Sequence, residues 1–157
     1  ILVWRNRNFN EKFDGIVYAV SVSLGFAAIE NLFYVFSNNS LQVGLVRAFT
    51  AVPGHAVFGI VMGFYLGLAR FSTQNRGKWL LLAFVVPWLL HGMYDFMIMS
   101  GHLILLVAFV PFLVYLYRFG LKRMREFNEQ SAFNPANMNF GNQQDMNYEQ
   151  QQSKQDI

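Results

Sequence analysis

Four acidic or histidine side chains lie deep inside the long apolar stretches of this 157-residue sequence. They are Glu30, His55, His91 and Asp95. Ionisable groups are costly inside a membrane, usually face the interior of a helix bundle and by default mark a functional site. One Glu and two His can hydrolyse a peptide bond either by holding Zn²⁺ with an open position for water or by activating water directly. The residue types leave both routes open, and they indicate no cofactor other than a metal ion.

Helical spacing adds supporting residues to this set. His91 and Asp95 are four apart and share a helix face, so Asp95 can orient the His91 ring or add an oxygen to the site. Glu30 and Tyr34 have the same spacing, so the Tyr34 hydroxyl could help satisfy the carboxylate or a substrate, and Asn31 adjoins Glu30. A single buried His more often makes a helix–helix hydrogen bond, and Asp95 could simply be solvated near the end of its stretch. The functional interpretation therefore depends on the whole set.

Four apolar stretches must position these side chains. They run roughly over 15–37, 44–69, 79–99 and 102–119. Each is near the ~20 residues that cross ~30 Å of hydrocarbon, and a chain with 54% hydrophobic and 13% charged residues suits a membrane protein. We predict an all-α, polytopic transmembrane helix bundle of four spans in residues 1–127. Residues 128–157, rich in Asn and Gln, are predicted to form a disordered cytoplasmic tail.

Basic residues lie at the ends of the stretches and predict their orientation. They are Arg5, Arg7, Lys12, Arg70, Arg76, Lys78, Arg118, Lys122, Arg123 and Arg125. By the positive-inside rule, the N-terminus, the connection between the second and third spans and the C-terminus are cytoplasmic; Arg47 is the exception. Because these charges form no continuous stripe, we expect the partners to be the lipid bilayer and a membrane protein rather than nucleic acid.

This orientation places three of the four side chains at a similar depth. Counting ~1.5 Å per residue puts Glu30 ~10 Å, His55 ~16 Å and His91 ~12 Å below the outer surface. Structural polar residues scattered over three helices have no reason to agree in depth. The agreement therefore favours one site in the outer half of the bilayer.

Three motifs resemble one known family. The stretches are DGIVYAVSVSLGFAAIENLFYV, RAFTAVPGHAVFGIVMGFYLGLA and HGMYDF. Over roughly residues 12–99 the sequence resembles the PrsW family of intramembrane proteases, which is related to the CAAX prenyl endopeptidase and Abi group. The resemblance implies active-site positions at Glu30, Asn31, His55, His91 and Asp95. It also implies cleavage of a membrane-anchored protein such as an anti-sigma factor near its extracytoplasmic side, in the bacterial cytoplasmic membrane.

One motif of that family does not occur in this sequence. The family carries a Glu-Glu pair followed by a basic residue on an earlier helix, whereas the acidic residues before Glu30 are only Glu11 and Asp14. We therefore expect an N-terminally truncated fragment, and this chain alone could lack activity.

Two other classes of protein compete with the protease. In a b-type haem protein, His55 and His91 would be the axial ligands, but Glu30 and Asp95 would then be unexplained. In a non-enzymatic membrane scaffold, a protonated Glu30 would donate an interhelical hydrogen bond. The scaffold predicts that Glu30→Gln leaves activity in cells unchanged.

Overall fold

The computed structural model describes residues 3–138, and the regular elements in that range are helices. A short 3₁₀ turn at Val3–Arg5 precedes the α-helices. These are α1 (Lys12–Asn38), α2 (Leu41–Phe71), α3 (Arg76–Met99) and α4 (Leu103–Glu129). All four are long and apolar enough to cross a membrane, which confirms the predicted all-α polytopic architecture.

Two helices extend well beyond the predicted apolar stretches. Helix α2 has 31 residues, so it is ~46 Å long and exceeds the ~30 Å of a bilayer core. Helix α4 continues past residue 119 to Glu129 as a more polar segment. The predicted tail over 128–157 begins at its last turn. Within this tail the Ser131 hydroxyl is 2.8 Å from the Glu11 carboxylate at the start of α1, and residues 139–157 lie outside the described range.

A glycine face brings α1 and α2 into backbone contact. Gly59, Gly63 and Gly67 repeat every four residues along α2 and meet the α1 main chain. A Cβ atom at Gly59 would lie 2.8 Å from Cα of Val20, and one at Gly15 would lie 2.7 Å from the carbonyl oxygen of Gly63. Only small residues allow helices to approach so closely. This contact sets the register in which the rest of α1 faces α2.

The other helices pack around α2. One apolar cluster joins α2, α3 and α4 and comprises Val57, Phe58, Tyr94 and Leu116. Helices α1 and α3 both pack against α2 but hardly contact each other, so a groove remains between them. Large apolar side chains such as Phe33, Phe49 and Phe84 point outward and are more than half exposed, as expected for lipid contact.

Two arginines that flank the α2–α3 connection meet the segment before α1, which carries Arg5 and Arg7, at one end of the bundle. The guanidinium groups of Arg70 and Arg76 lie 5.6 and 5.8 Å from the ring centroid of Trp4. This arrangement places the segment before α1 beside the α2–α3 connection. We call this the basic end of the bundle; the α1–α2 and α3–α4 connections lie at the other end.

Candidate active site

Helices α1, α2 and α3 bring Glu30, His55 and His91 together. One donor atom from each residue lies within 4.8 Å of the other two. The closest pair is Oε2 of Glu30 and Nε2 of His55, at 3.0 Å. The two imidazole rings meet edge to face, with centroids 4.8 Å apart. The three residues that depth counting grouped are therefore neighbours, and we call them the triad.

The direction in which the side chains lean explains how the triad reaches one level. Glu30 is about eight residues from the end of α1, and His91 is about eight residues from the end of α3, or ~12 Å in each case. His55 is about fourteen residues, or ~21 Å, from the start of α2. The start of α2 is level with the end of α1, because Gly44 lies against Val35. Helix side chains lean toward the N-terminus of their own helix, so in the antiparallel helices α1 and α2 the side chains of Glu30 and His55 lean toward each other and close this difference.

Arg47 forms an ion pair with the triad carboxylate. Its Nη2 donates to Oε2 of Glu30 at 2.9 Å, so one oxygen contacts both Arg47 and His55. The Arg47 guanidinium also lies over the Tyr34 ring, 3.6 Å from the centroid. A charge held away from water needs such pairing, and Arg stacks readily on aromatic rings. Sequence reasoning noted Arg47 only as an exception to the charge rule. The sequence did contain a signal for this ion pair, namely a basic residue inside one span and an acidic residue inside the preceding span.

Two residues near Glu30 have structural contacts of their own. Tyr34 was expected to offer its hydroxyl to the carboxylate; within residues 3–138 that hydroxyl makes no hydrogen bond to Glu30, and the ring instead supports Arg47. Asn31 donates its Nδ2 hydrogen to the carbonyl of Gly44 at 3.1 Å. Asn31 thus ties α1 to α2 beside the site.

Asp95 and two other side chains surround the histidines. Oδ2 of Asp95 lies 3.3 Å from Nε2 of His91, as the four-residue spacing suggested. The Phe58 ring stacks on the His91 ring at a centroid distance of 5.2 Å. The Ser23 hydroxyl donates to the His55 carbonyl at 2.7 Å, a contact for which the sequence offered no signal. The contacts with Asp95 and Phe58 restrict how the His91 ring can turn, and the Ser23 hydrogen bond ties α1 to the main chain of α2.

The donor set suits a metal ion. One carboxylate and two imidazoles are the ligands of His₂Glu zinc sites, in which the fourth position is open to water. Ligands ~2.1 Å from a tetrahedral zinc lie about 3.4 Å from each other. The Glu30–His55 separation of 3.0 Å is close to this value, and the donor atoms of all three residues lie within 4.8 Å of one another.

The same geometry does not suit a haem. Axial imidazoles approach the iron from opposite faces of the macrocycle, so the porphyrin must lie between them. The rings of His55 and His91 contact each other directly, and Glu30 touches His55 on the same site. No room exists for a macrocycle between the two rings.

Comparisons with known proteins identify related sequences. The sequence model described as "PrsW family intramembrane metalloprotease" matches residues 1–117. A protein named Protease PrsW from Oceanobacillus iheyensis is 42% identical over 133 residues, covering 85% of this chain and 61% of the relative. Its namesake from Bacillus subtilis is 46% identical over 127 residues, covering 80% and 57%. That from Clostridioides difficile is 36% identical over 132 residues, covering 81% and 56%.

The extent of these matches is also informative. The chain spans roughly 60% of the length of the curated relatives that it matches. No solved structure gives a significant match.

Proposed function

This chain belongs to the PrsW family of intramembrane metalloproteases, and on that premise we propose that it carries the peptide-hydrolysing centre of a membrane protease. The observation that supports this most directly is the convergence of Glu30, His55 and His91 from three different helices. Intramembrane ionisable residues that cluster in this way are typical of a functional site. The substrate would be a peptide bond of a membrane-anchored protein.

We propose Zn²⁺ as the metal, with Glu30, His55 and His91 as its ligands. When bound, zinc supplies an activated water at neutral pH and polarises the carbonyl of the scissile bond. Arg47 holds the Glu30 carboxylate on one side, which orients the carboxylate. Asp95 is placed to orient the His91 ring, as hydrogen-bond partners of ligating histidines commonly do.

A proton acceptor for the attacking water is also needed. Apart from Asp95, no second carboxylate approaches the triad among residues 3–138. The Glu-Glu pair implied by the family resemblance is absent from the 157 residues. We propose that this pair completes the site from outside the present sequence, so tests of activity should use the complete protein.

The proposal extends to the orientation of the protein in the membrane and to its substrate. We propose that the protein lies in the bacterial cytoplasmic membrane with both termini of this chain cytoplasmic, because basic residues gather at one end of the bundle. The triad then lies in the outer half of the bilayer. Cleavage would occur near the extracytoplasmic side of a single-span protein, such as an anti-sigma factor.

Cleavage by purified complete protein in lipid vesicles tests the proposal. The probe is a single-span anti-sigma factor from the source organism, tagged at both ends. Glu30→Ala, His55→Ala and His91→Ala should each lower cleavage by at least about 100-fold, since each removes a group at the reacting centre. His102→Ala, at the start of α4, is the matched control and should cleave normally.

The opposite result would identify the competing class. Cleavage by all three alanine variants at the wild-type rate would refute the site. A Glu30→Gln variant that keeps full activity in cells would favour the non-enzymatic scaffold.

A further inference from the structure

A cavity of about 390 Å³ lies beside two of the triad residues. It occupies the groove between α1 and α3, and α2 forms its floor. His55 and His91 form part of its wall. The rest of the wall is mainly apolar and includes Val22, Phe26, Phe58, Met62, Phe84 and Trp88. Anything that fills this cavity therefore contacts the reacting centre.

The cavity extends from the triad in one direction. On each helix, its lining residues lie one to two turns from the triad residue, toward the basic end of the bundle. They are Phe26 and Val22 on α1, Phe58 and Met62 on α2, and Trp88 and Phe84 on α3. Two turns correspond to ~10 Å along the membrane normal. The cavity thus continues from the polar centre into the middle of the bilayer.

The cavity is open on the outer face of helices α1 to α4 and selects for apolar groups. Phe26, Phe84 and Trp88 on its rim are all more than half exposed, so helices α1 to α4 leave its mouth uncovered. Ser23 also lines the cavity, but its hydroxyl already donates a hydrogen bond to the His55 carbonyl. The wall therefore adds aromatic and aliphatic contacts below the triad and no unsatisfied hydroxyl.

We infer that this cavity binds the transmembrane segment of the substrate next to the scissile bond. The inference rests on the proposed function. In an extended segment, ~10 Å accommodates about three residues on the membrane-buried side of the bond. The cavity would hold their apolar side chains. The occupant follows from continuity, because a peptide bond held at the triad places its neighbouring residues along this cavity.

Photocrosslinking tests which molecule fills the cavity. Phe84 is replaced by p-benzoylphenylalanine in the complete protein carrying Glu30→Gln to prevent turnover. The probe is a biotinylated single-span peptide with a leucine-rich segment, in phosphatidylethanolamine–phosphatidylglycerol vesicles. The control position is Leu81 on the same helix, which is 62% exposed against 66% for Phe84 but does not line the cavity. Because the two positions are similarly exposed, a difference in the yield of peptide adduct between them is due to the cavity.

We expect at least about ten-fold more peptide adduct from position 84 than from position 81, since hydrophobic pockets discriminate on this scale. Equal peptide adducts from both positions, or adducts with lipid alone at position 84, would overturn the inference. Peptide adducts at position 84, with no cleavage of any substrate by the complete protein that keeps Glu30, would refute the proteolytic function and leave the cavity as a site for a membrane segment. Cleavage that depends on His91, combined with lipid adducts alone at position 84, would refute substrate binding in the cavity but would leave the proteolytic function intact.

Steady-state kinetics separate a binding role from a structural one. Phe84→Ala should raise KM for the tagged single-span substrate about ten-fold, because it removes one wall of the cavity, and should change kcat less than about two-fold. Phe84→Leu should restore most of the affinity, and Leu81→Ala should leave both constants unchanged. A fall in kcat with unchanged KM for Phe84→Ala would contradict the binding role.

Discussion

Arg47 and His55 share one carboxylate oxygen of Glu30. Nη2 of Arg47 lies 2.9 Å from that oxygen, and Nε2 of His55 lies 3.0 Å from it. Both partners belong to α2, so α1 presents its single deep carboxylate to two groups about two turns apart on the neighbouring helix. Arg47 thereby stabilises the charge and the orientation of a proposed metal ligand.

Removal of Arg47 should weaken metal binding. We expect Arg47→Ala to lower zinc affinity and substrate cleavage by about 10–100-fold, as loss of a partner of a metal ligand commonly does. Arg47→Lys should have an intermediate effect, because it keeps the charge but loses the planar stack on Tyr34. Zinc affinity is measured by competition with a chelator, independently of cleavage.

The chain provides a matched control for this experiment. Arg123 also pairs with a carboxylate, Glu126, at 2.7 Å, and its guanidinium also lies over aromatic rings. Arg123→Ala removes the same kinds of contact from the far end of α4 and should leave zinc affinity unchanged. Equal losses for Arg47→Ala and Arg123→Ala would indicate a general effect on folding.

Asp95 is expected to position His91. Asp95→Asn keeps the size of the side chain but removes its charge, so the His91 ring loses its anionic partner at 3.3 Å. We expect zinc affinity to fall about 10–100-fold, and the cleavage rate at limiting zinc to fall with it. Asp95→Glu should recover part of the affinity. Unchanged zinc affinity in Asp95→Asn, measured by the same chelator competition, would leave Asp95 as a solvated residue at the helix end.

The glycine face of α2 should be sensitive to a single methyl group. A Cβ atom at Gly63 would collide with backbone atoms of Gly15 and Ile16, which cannot move without separating α1 from α2. Gly63→Ala should therefore cost about 1–3 kcal/mol of stability, measured by thermal or denaturant unfolding in detergent. Gly25→Ala is the matched control on α1, because its added methyl group would meet nothing within 4 Å. Equal stability of the two variants would contradict the proposed close contact.

Single cysteines can establish the orientation, because the 157 residues contain none. Gln42→Cys at the start of α2 should react with a membrane-impermeant maleimide in intact cells. Gln74→Cys, in the connection at the basic end, should react only after the membrane is permeabilised. Both positions are exposed, so accessibility within the protein is matched. The reverse labelling pattern would place the triad in the inner half of the bilayer.

Sequence counting predicted the triad because two constraints act together. A helix of regular rise converts residue number into depth, and apolar surroundings make every acidic or histidine residue conspicuous. The count for His55 changes most in the structure, from ~16 to ~21 Å, because α2 begins at Leu41 and not near residue 44. Depth along the membrane normal also gives no information on which side chains of neighbouring helices touch each other. Tyr34 was therefore paired with the carboxylate four residues before it, whereas its ring supports Arg47.

Composition and spacing are enough to predict four membrane-spanning helices and the residues worth testing, because hydrophobic length and helical periodicity are local properties of a chain. The tertiary structure decides which side chains meet. Packing of the glycine face against α1 determines the register that joins Glu30 to His55, and the separation of α1 from α3 opens the cavity beside them. These are relations between helices, and they depend on interhelical distances that no single segment encodes.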